Sequence, residues 1–364
     1  MKIVLMCWRD TTHPQGGGSE RYLERVGSYL ASRGHQVVYR TAGHGKELRE
    51  GILFTRGGGK FTVYPRAWIA MVLGRIGIGD LAGVDVVIDT QNGIPFFARI
   101  FAGCPTVILV HHCHKEQWPV AGKVLSRLGW FLESKVSPKV HQGCRYITVS
   151  ESSRRELQSL GVRDITVILN GVDPVPEFAP LAADGVHLVT LSRLVPHKQI
   201  EHAMDVVAAL PNVVLDVIGS GWWASKLRVY ARELGVADRV VFHGQVSEQR
   251  KHALLDRAKV HLMPSRKEGW GLAVTEAALH GVPTVGYRSS GGLQDSVQLG
   301  ALADNKAELI RLTAKLIDAP RATPLSPNAY SWHATGRAVE KLLEEVTNQD
   351  SIQDPSTKAS HDEV

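Results

Sequence analysis

No apolar run in this 364-residue sequence approaches the ~18 residues that a membrane-spanning helix needs, so a helical transmembrane architecture is excluded. The opening segment MKIVLMCWRD is apolar for only a few residues before Arg9 and Asp10, and it reads as a buried first strand rather than a secretory leader. Cysteine is scarce. Cys7, Cys104, Cys113 and Cys144 are scattered, three of them in or beside predicted strands, which excludes a disulfide framework and suits small reduced core residues in the cytoplasm. A dinucleotide fingerprint is also missing. The glycines at 16–18 read GGGSE, a polar loop separates them from the strand end, and Gly219-Ser220-Gly221 lacks the third glycine. No nucleic-acid-binding motif is present.

Charge is present but uneven. The net charge is +6; residues 1–170 hold 22 Lys/Arg against 13 Asp/Glu, whereas residues 171–364 hold 20 against 23. A first half that basic suits an anionic partner such as an acidic membrane or lipid phosphate, or else is a solvated basic surface. The length fits two domains of roughly 150–200 residues each. Apolar strand runs alternate with helix-period segments almost throughout. The first set is 2–8, 36–40, 85–89, 105–111, 146–150 and 165–169; the second is 187–192, 213–219, 239–244, 259–264 and 283–287. Continuous apolar strands alternating with amphipathic helices predict parallel sheets covered on both faces. The fold class is therefore α/β, with two doubly wound Rossmann-like domains facing across a cleft. The turn-rich Asn170-Gly171-Val172-Asp173-Pro174 divides 1–170 from 171–330. A helix at 331–346 follows, and the polar, aperiodic 347–364 is expected to be disordered.

Ligands of open α/β sheets bind beyond the carboxyl ends of the strands, and each such end in the second half offers something to a phosphorylated molecule. The loop RLVPHK places Arg193 and Lys198 together, two cations able to clamp a diphosphate. Gly219 and Gly221 lack side chains, so backbone there can approach a ligand closely. The turn at His243-Gly244 offers backbone groups to a base edge. Finally, PSRKEGWGLAVTEAALHG carries Glu268 in a loop, the turn Gly269-Trp270-Gly271, and a short helix holding Glu276. The first N–H groups of that helix, near Gly271 and Leu272, make an anion site. Two carboxylates on either side of it can accept hydroxyl hydrogen bonds from both ends of one molecule, and hydroxyls flanking a diphosphate describe a nucleotide sugar. Glu276 by itself reads more often as a solvated helix residue, paired with His280; Glu268, the Gly-Trp-Gly turn and the SRLVPHK loop reverse that reading.

This passage resembles the E-x7-E signature of retaining GT-B glycosyltransferases of the family 4 (group 1) type, and the resemblance covers nearly the whole chain. GGGSE (16–20), VSESSRREL (149–157), VILNGVDP (167–174), SRLVPHK (192–198) and SWHATGRAVEKLL (331–343) are similar to that family's segments in order and spacing. The last is similar to the helix that crosses back onto the first domain. The resemblance implies that Glu276 holds the ribose hydroxyls, Glu268 the transferred sugar, and Arg193 with Lys198 the diphosphate. Backbone N–H groups around Trp270–Leu272 and the glycine loop at Gly17 and Gly18 would help. The family's histidine corresponds to His111 or His112, with His111 favoured. It further implies transfer of a hexose from a UDP- or GDP-linked donor to an acceptor hydroxyl with retained configuration. Metal-dependent transferases of the other major fold use Asp-x-Asp, which occurs nowhere in this chain, so neither metal nor other cofactor is expected.

Other readings remain. His111-His112-Cys113-His114 invites a zinc site, but consecutive residues leaving a strand point to alternate faces. A nucleotide-sugar 2-epimerase of the same fold needs a carboxylate-rich proton-transfer site; a non-catalytic sugar-nucleotide binder would bind donor without turnover. In 118–136, Ala121, Val124, Leu125, Leu128, Phe131 and Leu132 form one face, expected to pack inward, and Lys123, Arg127 and Trp130 the other. That basic-aromatic face, or YPRAWIAMVLGRI (64–76) with Arg66, Trp68 and Arg75, would contact acidic lipid at the inner face of the plasma membrane, where a lipid-linked or anionic acceptor would lie. Simple packing on the sheet is the other account. After SSGGLQDSV (289–297) the chain is shorter than the family pattern, which leaves the base open.

Overall fold

The computed structural model describes residues 1–14, 16–118, 122–182 and 184–353. Ala121, and 354–364 of the tail expected to be disordered, lie outside the described residues. The chain divides into two compact units, Met1–Gly171 together with the terminal helix from Trp332, and Val172–Ser331.

The first unit is built on an eight-stranded sheet: β1 (Lys2–Met6), β2 (Gln36–Thr41), β3 (Lys46–Arg49), β4 (Ile52–Arg56), β5 (Val86–Thr90), β6 (Thr106–Val110), β7 (Tyr146–Thr148) and β8 (Ile165–Val167). Their order is β3-β4-β2-β1-β5-β6-β7-β8, with every pair parallel except the β3–β4 hairpin. The apolar runs explain the interior, since β5 and β6 are buried at every position and Ile3 to Met6 are fully enclosed. Neither hairpin strand is among the expected runs, although β4 buries Ile52 and Phe54. The first strand of the hairpin, KELR, is exposed, so its pairing carries no burial signal in the sequence. The strands also stop short of several expected ends, because chain turning out of the sheet begins while residues are still apolar.

Helices cover both faces. In-register Val4, Val38 and Val87 share one face with Ile108 and Val110, and α2 (Val63–Arg75) packs Val63, Ala67 and Met71 there. After α2 come α3 (Ala98–Phe101) and α4 (Lys123–Phe131). On the other face, α1 (Gly18–Ser32) rests on Leu5 and Ile52, so closely that a side chain at Gly27 would strike both. The helix Trp332–Gln353 packs on α1 where Gly336 meets Tyr29. It runs past the expected end at 346, so 347–353 is helical rather than irregular.

The segment 118–136 departs from expectation in orientation. Val124, Leu125, Leu128 and Phe131 are exposed, and Trp130 instead packs beside Cys113, Cys144 and Tyr146. Polar anchoring sets this register. Glu133, fully buried just after α4, accepts hydrogen bonds from Trp118 Nε1 (2.6 Å) and the His114 amide (2.9 Å), and Gly129 faces the Trp118 ring. Breaking a buried, multiply bonded carboxylate costs more than leaving an apolar stripe in water. Trp68 is likewise turned inward, stacked on Phe101 with its Nε1 donating to the Phe96 carbonyl at 2.7 Å. The four cysteines are thiols rather than disulfides, and burial pushes the Cys7 thiol up to about 12. No helix among the described residues is long and apolar enough to cross a membrane.

The second unit has six parallel strands, β9 (Val186–Leu191), β10 (Val213–Ile218), β11 (Val240–Gly244), β12 (Val260–Met263), β13 (Thr284–Tyr287) and β14 (Gly300–Ala303), in the order β11-β10-β9-β12-β13-β14. The sequence reading omitted β14, whose GALA is too short to register as a strand run. In each sheet the first strand of the set has neighbours on both sides, so crossovers leave it in opposite directions. The loops after β1 and β9 therefore sit at the topological switch points, where such sheets open a crevice.

Candidate active site

Because all six strands of the second sheet run the same way, the loops after β9, β10, β11 and β12 gather at one edge. After β9 the chain passes Arg193 and a 3-10 turn, Pro196–Lys198. Lys198 Nζ reaches Glu268 Oε1 at 2.5 Å, joining two residues 70 apart in sequence. Both side chains are largely but not completely enclosed, at 13% and 9% exposure. The amide of Arg266 donates to the His197 carbonyl at 2.9 Å, which ties the two loops along their backbones. Glu268 is further held by its amide on Ser290 O (2.9 Å) and its carbonyl under Gly292 N (3.0 Å).

Glycines after β10 serve a contact that the sequence does not disclose. A Cβ on Gly219 would lie 2.0 Å from the Ser192 carbonyl oxygen, and one on Gly221 2.2 Å from that of Leu194. Their bareness lets the β10 loop pack against the Arg193 loop, with Leu194 N donating to Ser220 O at 2.9 Å. The Gly244 carbonyl accepts from Gly219 N at 2.8 Å. The His243 ring is turned to Asp216, Nε2 to Oδ1 at 2.7 Å. Asp216 is fully buried and also meets His187 Nδ1 (2.8 Å) and Arg257 Nη2 (2.9 Å). Burial opposes its ionisation, yet the His243 hydrogen bond and the Arg257 charge outweigh it and hold the carboxyl below the usual range.

After β12 the turn Gly269-Trp270-Gly271 feeds the helix Leu272–Ala278. Gly271 sits at φ +88°, a conformation that favours glycine, and so lets the chain enter the helix directly. Trp270 is buried under the helix, its Nε1 donating to Thr275 Oγ1 at 3.0 Å, so its backbone rather than its ring is left toward the sheet edge. Glu276, one turn on, does not pair with His280, which meets His252 instead (2.8 Å). Its partner is Lys251, from the helix Glu248–Arg257, with Nζ to Oε1 at 2.6 Å. Lys251 also holds Glu248 at 2.6 Å and is buried. Burial disfavours its charge, but Glu276 and Glu248 together outweigh this and its pKa is raised. Sequence reasoning missed Lys251 altogether; its i,i+3 spacing from Glu248 signals a surface pair, and nothing local points to Glu276.

In the first unit, the loop after β1 runs to Gly17 and Gly18, where α1 starts. Glu20 is fully buried and accepts from Arg9 Nε and from the Gly17 amide, both at 2.7 Å. Burial works against the carboxylate, but the Arg9 charge with hydrogen bonds from Arg9, Ser19 and Gly17 keeps its pKa below the ordinary value. His111, immediately after β6, lies edge-on to Tyr22 of α1 with ring centroids 5.2 Å apart. Its Nε2 is buried without a hydrogen-bond partner among the described residues, and burial pushes its pKa down to about 4. The neighbouring His112 turns elsewhere, to Gln117 (2.7 Å) and the His114 ring (4.6 Å between centroids). The doublet thus splits, one ring toward α1 and one along the following loop.

Two family models match: "Glycosyltransferase Family 4" over residues 16–175 and "Glycosyl transferases group 1" over 177–332. A GDP-mannose-dependent alpha-(1-6)-phosphatidylinositol monomannoside mannosyltransferase of Mycobacterium tuberculosis is 30% identical over 275 residues, 64% of this chain and 66% of that protein. The alignment thus spans just under two thirds of the relative's length. Among solved structures, the sucrose-phosphate synthase of Thermosynechococcus elongatus superposes with a TM-score of 0.73 at 18% identity, covering 97% of this chain and 98% of its own. Anabaena HepE in complex with UDP-glucose gives 0.69 at 17% identity, covering 97% and 99%. At such identities these likenesses establish the fold.

Proposed function

The chain belongs to the family 4 (group 1) glycosyltransferases, with the GT-B fold, and from that premise we propose that it moves a hexose from a UDP- or GDP-linked donor to an acceptor hydroxyl, retaining anomeric configuration and using no metal. The observation that carries this reading is the 2.5 Å pairing of Lys198 with Glu268 at the edge of the second sheet, with Glu276 in the helix that follows. A phosphate-type cation and a hydroxyl-accepting carboxylate stand side by side, neither locked out of reach.

In this reading Lys198 and Arg193 meet the diphosphate, Glu268 accepts hydrogen bonds from the hexose hydroxyls, and Glu276 accepts them from the ribose. Breaking the bond between the anomeric carbon and the phosphate oxygen leaves the electron pair on the nucleoside diphosphate. Arg193, Lys198 and the amides near Gly271 and Leu272 stabilise that charge. The acceptor oxygen attacks on the face the diphosphate leaves, and its proton departs with that group. Neutral His111 takes the part of the family's histidine, with a buried Nε2 that has no hydrogen-bond partner among the described residues and is free to serve a sugar hydroxyl. Gly17 and Gly18 give close backbone approach.

The acceptor is a lipid-linked or cell-envelope glycan, met by a basic first unit at an acidic membrane surface on its cytoplasmic side. Support comes from the charge excess of residues 1–170 and from the phosphatidylinositol mannoside acceptor in the name of the mycobacterial relative. A thermal-shift panel of UDP, GDP, TDP and ADP with their sugars identifies the donor, since a ligand at 100 times its Kd stabilises by about 2.7 kcal/mol. Incubating that donor with lipid extract should then yield a hexose-bearing lipid by mass spectrometry. An epimerised sugar formed from donor alone, or binding with no turnover, would defeat the transferase reading.

A further inference from the structure

We propose that the helical layer α2–α3–α4 of the first unit is a docking surface for an anionic lipid bilayer. Three observations converge on it. The strand register places Val4, Val87, Ile108 and Val110 on one sheet face, and both α2 and Trp130 of α4 pack there, so these helices lie on the same side of the unit. Stacking of Trp68 on Phe101 joins α2 to α3 between them.

The outward side of this layer is apolar. Ile69, Val72 and Ile76 follow one another at helical spacing along α2 and its end; Val124, Leu128 and Phe131 do so along α4. All six are between 47% and 79% exposed. Two stripes of large aliphatic and aromatic side chains on one face exceed the scatter of single exposed residues that any surface carries.

The charges of the layer are of one sign. Arg66, Arg75, Arg99, Lys123 and Arg127 are the charged residues of the three helices, and none of the three holds an Asp or Glu. By contrast α1, on the opposite face, balances Arg21 and Arg25 against Glu20 and Glu24. This complementarity selects the occupant. A second copy meeting this face about a two-fold axis would set arginine against arginine. Anionic headgroups neutralise the cations while the stripes enter the acyl boundary, the arrangement of an interfacial amphipathic helix. The inference deepens the lipid-linked acceptor proposed above by naming the surface that would bring the enzyme to it.

The test is co-sedimentation of the full chain with phosphatidylcholine vesicles, with and without phosphatidylglycerol, in the absence of donor and acceptor. Binding is expected only to the anionic vesicles and should fall with added salt. Arg66→Ser and Arg127→Ser should each weaken it by about five-fold. The triple changes Ile69→Ser/Val72→Ser/Ile76→Ser and Val124→Ser/Leu128→Ser/Phe131→Ser should each weaken it by about ten-fold or more. These side chains are exposed, so unchanged melting temperatures report an intact fold. A chain that stays in the supernatant with anionic vesicles, or variants that bind as the parent does, would overturn the proposal. So would a dimer in solution that the same substitutions dissolve. Vesicle binding without hexose transfer would sink the transferase reading and leave this one standing; transfer to a water-soluble acceptor without vesicle binding would do the reverse.

Discussion

Each unit carries a cation–carboxylate pair beside the switch point of its sheet, and the two pairs differ in what surrounds them. Arg9 and Glu20 meet at 2.7 Å with the carboxylate fully enclosed and also bonded by the Gly17 amide. Lys198 and Glu268 meet at 2.5 Å, each with part of its side chain open to solvent. The first carboxylate has its acceptor capacity occupied by its own loop and fixes the start of α1. The second keeps capacity to spare. The same chemistry is a staple where it is saturated and buried, and a site where it is accessible and incompletely occupied.

The contrast can be broken most sharply at Glu20. Glu20→Ala leaves Arg9 buried without its charge partner and should destabilise the chain by about 3–5 kcal/mol, measured by denaturant unfolding. A loss under 1 kcal/mol would deny it the role of a staple. Glu268→Ala should do the opposite, keeping the melting temperature near that of the parent while lowering transfer by about 10²–10³-fold. Parental turnover in that variant removes Glu268 from the site.

Lys251→Met sharpens the distinction within the second unit. Glu276 would keep its place on the helix but lose the cation that aims it, and the donor KM should rise about ten-fold with kcat less affected. An unchanged KM would make Lys251 a packing residue. Acid should act on both units together. His111 and His141 in the first and His252 in the second are pushed to about 4, and His261 to about 3, largely by burial. The unfolded chain takes up protons near the ordinary histidine value while the folded one does not, so stability is full above that value and falls as the pH drops toward 4. Melting temperatures flat across that window would contradict the burial of neutral rings. The smallest effect is expected from EDTA, which should leave transfer unchanged; loss of activity restored by Mn²⁺ or Mg²⁺ would refute metal-free departure of the diphosphate.

Much of this was legible in the chain before folding. The central strands announce themselves because parallel strands covered on both faces must be apolar throughout, as in VVIDT and TVILV. β3 and β14 gave no such sign, being short and largely exposed or small. Of the candidate site, Glu268, Glu276 and the Arg193–Lys198 loop could be named from spacing alone. That Lys198 touches Glu268, or that Glu276 is gripped by Lys251, could not, because the partners lie 70 and 25 residues apart. The glycines Gly219 and Gly221 were read as space for a ligand, whereas their nearest neighbours are the carbonyls of the preceding loop.

The orientation of α4 is the clearest case. Its apolar period is sound, yet the stripe faces water, because Gly129 and, just beyond the helix, Glu133 must both meet Trp118. What sequence determined by itself was whatever depends on local pattern: element type, the order of elements and hence the doubly wound class. Tertiary structure alone decided which side chains became partners and which face of a helix stayed exposed. Those outcomes turn on contacts between distant segments, where one buried, fully bonded carboxylate outweighs several apolar side chains left in solvent.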